Sequence, residues 1–169
     1  MIINALLESD LDDVLQIEQA SFTSPWTRKM FLNELAGNPF TFLAACREES
    51  TIIGYVCYWI VFEELHMMNL ATNPKYRRQG IARTLMTHVL TQARKHGAQS
   101  AMLEVRASNT PATTFYTQLG FQQIGLRKQY YADPVEDAII MRRASLEADN
   151  ASQPITNQNK TQIQKAMTK

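Results

Sequence analysis

The segment 69–82, reading N-L-A-T-N-P-K-Y-R-R-Q-G-I-A, constrains what this chain can fold into more than any other stretch. An apolar strand runs through Leu70, a turn at Asn73-Pro74 breaks it, and a basic loop from Arg77 to Ala82 leads directly into a long helix. Ile81, Leu85 and Val89, with Ala82, Met86, Leu90 and Ala93, mark that helix by their spacing. The loop also has a chemical use. The first turn of a helix carries unpaired backbone N–H groups and the positive end of the dipole, so it attracts phosphate oxygens. Gly80 admits a pyrophosphate close to the backbone, and Ala82 leaves the first turn uncrowded. The pattern is Arg77-x-x-Gly80-x-Ala82, which is neither a Walker A loop nor a dinucleotide-binding Gly-x-Gly-x-x-Gly.

Strand and helix signals surround that unit. Ile2 to Leu7 predicts an opening strand. Ser9 with Asp12 predicts a capping box, and Leu11, Val14, Leu15 and Phe22 the apolar face of the helix behind it. Pro25-Trp26-Thr27 restarts the chain, with Met30, Phe31 and Leu35 in a short helix ending near Gly37. Phe40 to Cys46 and Ile52 to Phe62 are rich in β-branched and aromatic residues and read as strands, and Leu65 to Ala71 reads as a third. The long helix is expected from about Gln79 to Lys95-His96-Gly97, where cations and a glycine end it. Ala101 to Val105 follows as a strand. Asn109-Thr110-Pro111 starts a helix that carries Ala112, Phe115, Tyr116 and Leu119 and stops at Gly120. Phe121 to Tyr131 and Ala138 to Met141 close the series around an Asp133-Pro134 turn. The order β-α-α-β-β-β-α-β-α-β-β predicts a mixed α/β fold in one domain over residues 1–144. From Ser145 onward Asn, Gln, Thr, Ser and Lys dominate without a period, which predicts a disordered polar tail over 145–169. A partner-binding helix over Ile163 to Met167 is the other reading of its end.

At 169 residues the chain can bury a substantial core. Its net charge of +1 offers no bulk attraction to nucleic acid. The opening M-I-I-N-A-L-L-E-S-D lacks the basic region of a signal peptide, and no stretch reaches the roughly 20 apolar residues that span a bilayer. A cytoplasmic protein without a membrane partner is expected. Cys46 and Cys57 sit in apolar runs as reduced core thiols. His66, His88 and His96 lack metal-ligand spacing, which predicts no metal site.

The second informative block is Leu103 to Asn109, L-E-V-R-A-S-N. Glu104 lies between apolar neighbours in a strand, where a carboxylate needs a partner or a role. It reads either as a general base or as half of an ion pair, with Arg106 of its own strand a candidate partner. Tyr116, on an apolar helical face, reads as a core residue with a hydrogen-bonded hydroxyl or as a proton donor. Cys57 as an acyl-carrying nucleophile has no histidine partner in the sequence pattern.

Taken in order, E-Q-A-S-F at Glu18, P-W-T at Pro25, E-E-L-H at Glu63, N-L-A-T-N-P with R-R-Q-G-I-A, L-E-V-R-A-S-N, F-Y-T-Q-L-G-F at Phe115, and Y-Y-A-D-P with E-D-A-I-I-M resemble one family. It is the RimI family, the ribosomal-protein-alanine N-acetyltransferases of the GNAT superfamily. The resemblance covers about residues 3 to 143. L-E-V-R-x-S-N with Y-x-x-L-G-F is specific for this group, whereas R-x-x-G-x-A marks only the superfamily. The resemblance implies the GNAT (acyl-CoA N-acyltransferase) fold, a mixed, mostly antiparallel sheet with flanking helices. It implies acetyl-CoA as co-substrate, Glu104 as general base and Tyr116 as the acid that protonates coenzyme A. It implies acetyl-CoA contacts from Leu70, Ala71, Thr72, Arg78, Gln79, Gly80, Ile81, Ala82, Arg83 and Asn109.

The acceptor implied is the N-terminal amine of an alanine-started small-subunit ribosomal protein, modified by a monomeric enzyme with no nucleic acid involved. Two departures stand out: Gly-Ile-Ala where many relatives have Gly-x-Gly, and the polar tail outside the family core. Competing readings are a lysine-side-chain or small-molecule acetyltransferase, and a non-catalytic CoA sensor. The pairing of Glu104 with Tyr116 in matched motifs argues against the sensor. Glu63 and Glu64 read as an acidic wall for basic acceptors or as a solvated turn. His66 reads as facing the acceptor or as a hydrogen-bonded wall residue. Trp26, Tyr130 and Tyr131 either wall the cleft or pack.

Overall fold

A computed structural model of the chain describes residues 1–147. Seven strands form one sheet: β1 (Ile2–Ala5), β2 (Thr41–Glu48), β3 (Thr51–Val61), β4 (Glu64–Thr72), β5 (Ser100–Arg106), β6 (Gln122–Ala132) and β7 (Val135–Arg143). Their order is β1-β2-β3-β4-β5-β7-β6. β4 and β5 run parallel, and the other pairs are antiparallel. The helices are α1 (Leu11–Ser21), α2 (Arg28–Leu35), α3 (Ile81–Lys95) and α4 (Thr110–Gln118). This is the mixed, mostly antiparallel α/β fold expected. The parallel pair follows from α3, since parallel neighbours need a crossover to bring the chain back to the same end.

The central strands are buried on both faces. On one, Leu11, Val14 and Ile17 of α1 and Phe31 of α2 cover Ile52 and Tyr55 of β3. On the other, Ile81, Leu85, Met86, Val89 and Ala93 of α3 cover Ile53, Val56 and Leu103. Gly54 lies where α3 crosses β3 and β4. A Cβ there would stand 3.0 Å from the Ala71 carbonyl oxygen and 3.0 Å from Ile81 Cγ2. The absent side chain lets the start of α3 settle against the end of β4.

Three local expectations are corrected. The cap before α1 is not Ser9 with Asp12: residues Glu8–Asp10 form a 3-10 turn, and the Asp10 carboxylate accepts from the Leu7 N–H at 2.7 Å. Arg47 adds an ion pair to the same carboxylate at 2.6 Å. α3 begins at Ile81 rather than Gln79, because Gly80 stands in the left-handed region at φ 81° and closes the loop. The buried core extends past 144: Leu146 is 2% exposed, belongs to the cluster of Leu85 and Phe121, and donates its N–H to the Gln99 carbonyl at 2.8 Å. Most of the tail, with the stretch 163–167, lies outside the described residues.

Candidate active site

The site begins where two strands part. β4 pairs with β5 from Glu64↔Ser100 to Met67↔Leu103 and no further. The cause is a bulge: Tyr58 of β3 pairs with Met67 and Cys57 with Asn69, which leaves Met68 as an extra residue and bends β4. Beyond it Leu70, Ala71 and Thr72 stay on β3, while their other edge has no ladder partner among the described residues. A cavity of about 760 Å³ fills the fork and runs to the start of α3.

Leu70, Ala71, Thr72, Arg78, Gly80, Ile81, Ala82, Arg83 and Asn109 all line this cavity, as do Glu104 and Tyr116. Gln79 does not: it is exposed and stands outside the lining. Several features of this end suit a phosphate-bearing ligand. The first-turn amides of α3 have no helical acceptor. Gly80 has open space where a side chain would stand. Arg78 is left-handed at φ 64°, a conformation that costs a non-glycine residue on the order of 1 kcal/mol and gathers at ligand-binding turns. Arg77 is tied to Ser21 of α1 at 3.3 Å, and Arg83 to Gln118 of α4 at 3.2 Å. Thr72 Oγ1 is buried with no hydrogen-bond partner among the described residues, an atom a ligand amide or hydroxyl would satisfy.

The chemistry-bearing groups come from β5 and α4. Glu104 forms its ion pair with Arg127 of β6 at 3.1 Å. The partner considered from its own strand is therefore corrected. Arg106, at the strand's end, instead reaches Glu136 at 3.2 Å and the Asp133 carbonyl at 2.9 Å, with its guanidinium 4.1 Å from the Tyr131 ring centre. Asn109 caps α4 by accepting from the Ala112 N–H at 3.2 Å, which sets the helix that presents Tyr116. Burial pushes the Tyr116 hydroxyl up to about 12, with Tyr131 adding to the shift, so it keeps its proton at neutral pH.

The remaining wall is the segment between α1 and α2. Ser24 donates to the Asp133 carbonyl at 2.9 Å, which joins this segment to the β6–β7 turn across the cavity mouth. Trp26 and Tyr131 line the cavity; Tyr130 does not, and its ring instead lies 5.0 Å from the Arg127 guanidinium. Glu63 and Glu64 are not in the cavity either. Glu64 begins β4 at its far end, roughly 17 Å of extended strand from Asn69, and Glu63 sits in the turn just before it. Glu64 is held by His66 at 3.1 Å, by Arg142 at 3.4 Å and by the Ser100 hydroxyl at 3.2 Å. Cys57 is a buried free thiol whose pKa burial drives far up, the opposite of an activated nucleophile.

One cavity residue escaped the sequence reading as a functional candidate. Glu18 of α1 is 1% exposed and accepts from the Trp26 N–H at 2.7 Å, from Asn69 Nδ2 at 3.2 Å and from the Tyr55 hydroxyl. Burial raises its pKa, against the lowering effect of the Trp26 and Asn69 hydrogen bonds. The available signal was periodicity, since Glu18 continues the inward positions Leu11 and Val14 at helical spacing.

The family model described as the acetyltransferase (GNAT) family matches residues 11–121. An Escherichia coli K12 protein named ribosomal protein bS18-alanine N-acetyltransferase is 34% identical over 141 residues, 82% of this chain and 94% of its own length. A Bacillus subtilis protein provisionally given that name is 40% identical over 132 residues, 78% of this chain and 87% of its own. The crystal structure of the ribosomal-protein-S18-alanine N-acetyltransferase from Escherichia coli superposes with a TM-score of 0.78 at 32% identity, covering 90% of this chain and 99% of that one. The forked sheet with its helix-capped loop thus has relatives along nearly its whole length, and the chain belongs to the GNAT acetyltransferases, in their ribosomal-protein-alanine (RimI) branch.

Proposed function

We propose that this enzyme moves the acetyl group of acetyl-CoA, the family's donor, directly to the N-terminal alanine amine of a bS18-type ribosomal protein, with Glu104 as general base and Tyr116 as general acid. The observation that carries the mechanism is that a carboxylate and a proton-bearing phenol line one cavity, which starts at the open edge of β4 and ends at the N-terminus of α3. The acceptor rests on the names of the relatives.

The first-turn amides of α3, Gly80 and Arg78 hold the pyrophosphate. Thr72 Oγ1 and the free edge of Leu70 to Thr72 receive the pantetheine arm and polarise the thioester carbonyl. An α-amine with pKa near 7.8 is roughly one-seventh neutral at pH 7, against about one lysine in 2,500, so a carboxylate base suffices for the N-terminal substrate. Arg127 orients Glu104, which takes the amine proton directly or through water as the nitrogen bonds to the carbonyl carbon. The carbon–sulfur bond then breaks, and Tyr116 supplies a proton to the departing sulfur and regains one from solvent. The products are the acetylated amine and the CoA thiol.

The test is CoA-thiol release on four acceptors: an alanine-started peptide, the same peptide with a blocked N-terminus, a lysine peptide and a polyamine. Rapid release on the first alone is expected. Faster turnover of the lysine peptide or the polyamine would refute the acceptor, and no release on any of them would refute the catalytic assignment.

A further inference from the structure

We propose that Glu18 is a positioning residue: it pins the bulged segment of β4 and the α1–α2 segment in one arrangement, so that β4 grips the thioester carbonyl only while this carboxylate holds Asn69 and Trp26. A buried carboxylate is costly unless its oxygens are satisfied, and an apolar residue of the same size would fill the site without that cost. Here three donors from three separate elements converge on it. They are Asn69 Nδ2 of β4 at 3.2 Å from both oxygens, the Trp26 N–H at 2.7 Å, and the Tyr55 hydroxyl of β3.

The placement of Asn69 gives the tie its consequence. It is the first residue to regain its β3 partner after the extra Met68, so its side chain anchors the strand where it leaves β5. The backbone just beyond it is the segment read above as the carbonyl's partner, and the inference rests on that reading. A bulge held only by its ladder can shift by a residue, and a one-residue shift turns every following group to the other face. Trp26 completes the link on the acceptor side. Its ring lies 5.3 Å from that of Phe31, which lies 5.6 Å from that of Tyr55. The wall facing the amine and the strand facing the thioester therefore meet at one carboxylate.

The test uses the full chain and acetyl-CoA labelled with ¹³C at the thioester carbonyl, whose infrared band is read free and bound. In the wild type the band should move to lower frequency on binding. In Glu18→Gln and in Asn69→Ala at least half of that displacement should vanish. Meanwhile acetyl-CoA Kd should stay within about threefold, because loop 78–83 is untouched, and kcat on an alanine-started peptide should fall roughly 10- to 100-fold. Glu18→Gln should also raise the peptide KM, which Asn69→Ala should not. The double variant should lose no more kcat than Glu18→Gln alone. An unchanged band and kcat in a folded variant, strictly multiplicative losses in the double variant, or no displacement in the wild type would each overturn the proposal. If Glu18→Gln does not fold, Asn69→Ala carries the infrared test by itself. A wild type that displaces the band but releases no CoA with the alanine-started peptide would fail the acceptor assignment, and the band would still judge Glu18.

Discussion

Replacing Gly54 by alanine probes the packing on which the proposed acetyl-CoA end of the cavity stands. The new Cβ would stand 3.0 Å from the Ala71 carbonyl oxygen, 3.0 Å from Ile81 Cγ2 and 3.2 Å from Leu85 Cδ1. Comfortable contacts to carbon lie at about 3.5–4.0 Å, so several tenths of an ångström must be found on each side at once. Little can yield: Ala71 contributes backbone, and Ile81 and Leu85 are buried in the core under α3. Overpacking of this kind costs about 1–3 kcal/mol. Unlike most core damage it falls on the end of β4 and the first turn of α3 together, so acetyl-CoA affinity should drop roughly tenfold as the two walls move apart. Urea unfolding should show the lower stability at an unchanged slope, and calorimetry the weaker binding. An unfolding free energy within about 0.5 kcal/mol of wild type, with unchanged affinity, would refute the claim that this contact sets the site.

A chain ending at residue 145 should be about 2–4 kcal/mol less stable than one ending at 147, because it loses the Leu146 side chain and its bond to Gln99; equal urea midpoints would remove Leu146 from the core. The chain ending at 147 should acetylate peptide at the full-length rate. For Asp10, burial alone would raise the carboxyl pKa, but Arg47 and the Leu7 N–H outweigh it, and the folded value lies below 3.8. Its contribution is therefore complete above the unfolded pKa and is lost as pH falls through the lower folded value. Asp10→Asn should cost about 1–3 kcal/mol at pH 7 and flatten the loss of stability below pH ~4; parallel acid limbs for variant and wild type would contradict this. Gly80→Asp should abolish acetyl-CoA binding, since it puts a carboxylate at the proposed phosphate site and a side chain at φ 81°, whereas Arg77→Ala should weaken binding only in part; normal binding by Gly80→Asp would reject the loop as the pyrophosphate site.

Most of the fold was legible in the sequence because its elements are locally coded. The Ile81–Ala93 periodicity, the Asn109 cap with Pro111, the β-branched and aromatic run of β3 and the apolar run of β5 each specify structure within a dozen residues. What escaped the reading depends on strand pairing. The Arg127 partner of Glu104 comes from β6, two strands away in the sheet, and only the order β5-β7-β6 brings it near. Glu63 and Glu64 come shortly before Leu70 in sequence, but a strand of 9 residues puts them at the end of β4 opposite Leu70 to Thr72. The bulge at Met68 that opens the fork has no sequence signature of its own, since neither a glycine nor a proline marks it. Glu18 was visible as an acid in an inward helical position, but its partners on β3 and β4 were not.

The proposed mechanism turns on Glu104 as the base, and the rate of Glu104→Gln on an alanine-started peptide at pH 7, measured beside its acetyl-CoA affinity, tests that directly. The expected result is a folded protein with wild-type affinity for acetyl-CoA and a kcat lower by roughly 10²–10⁴, the usual share of general base catalysis. A variant as active as wild type would make Glu104 only the ion-pair partner of Arg127 and leave the proposed mechanism without its base.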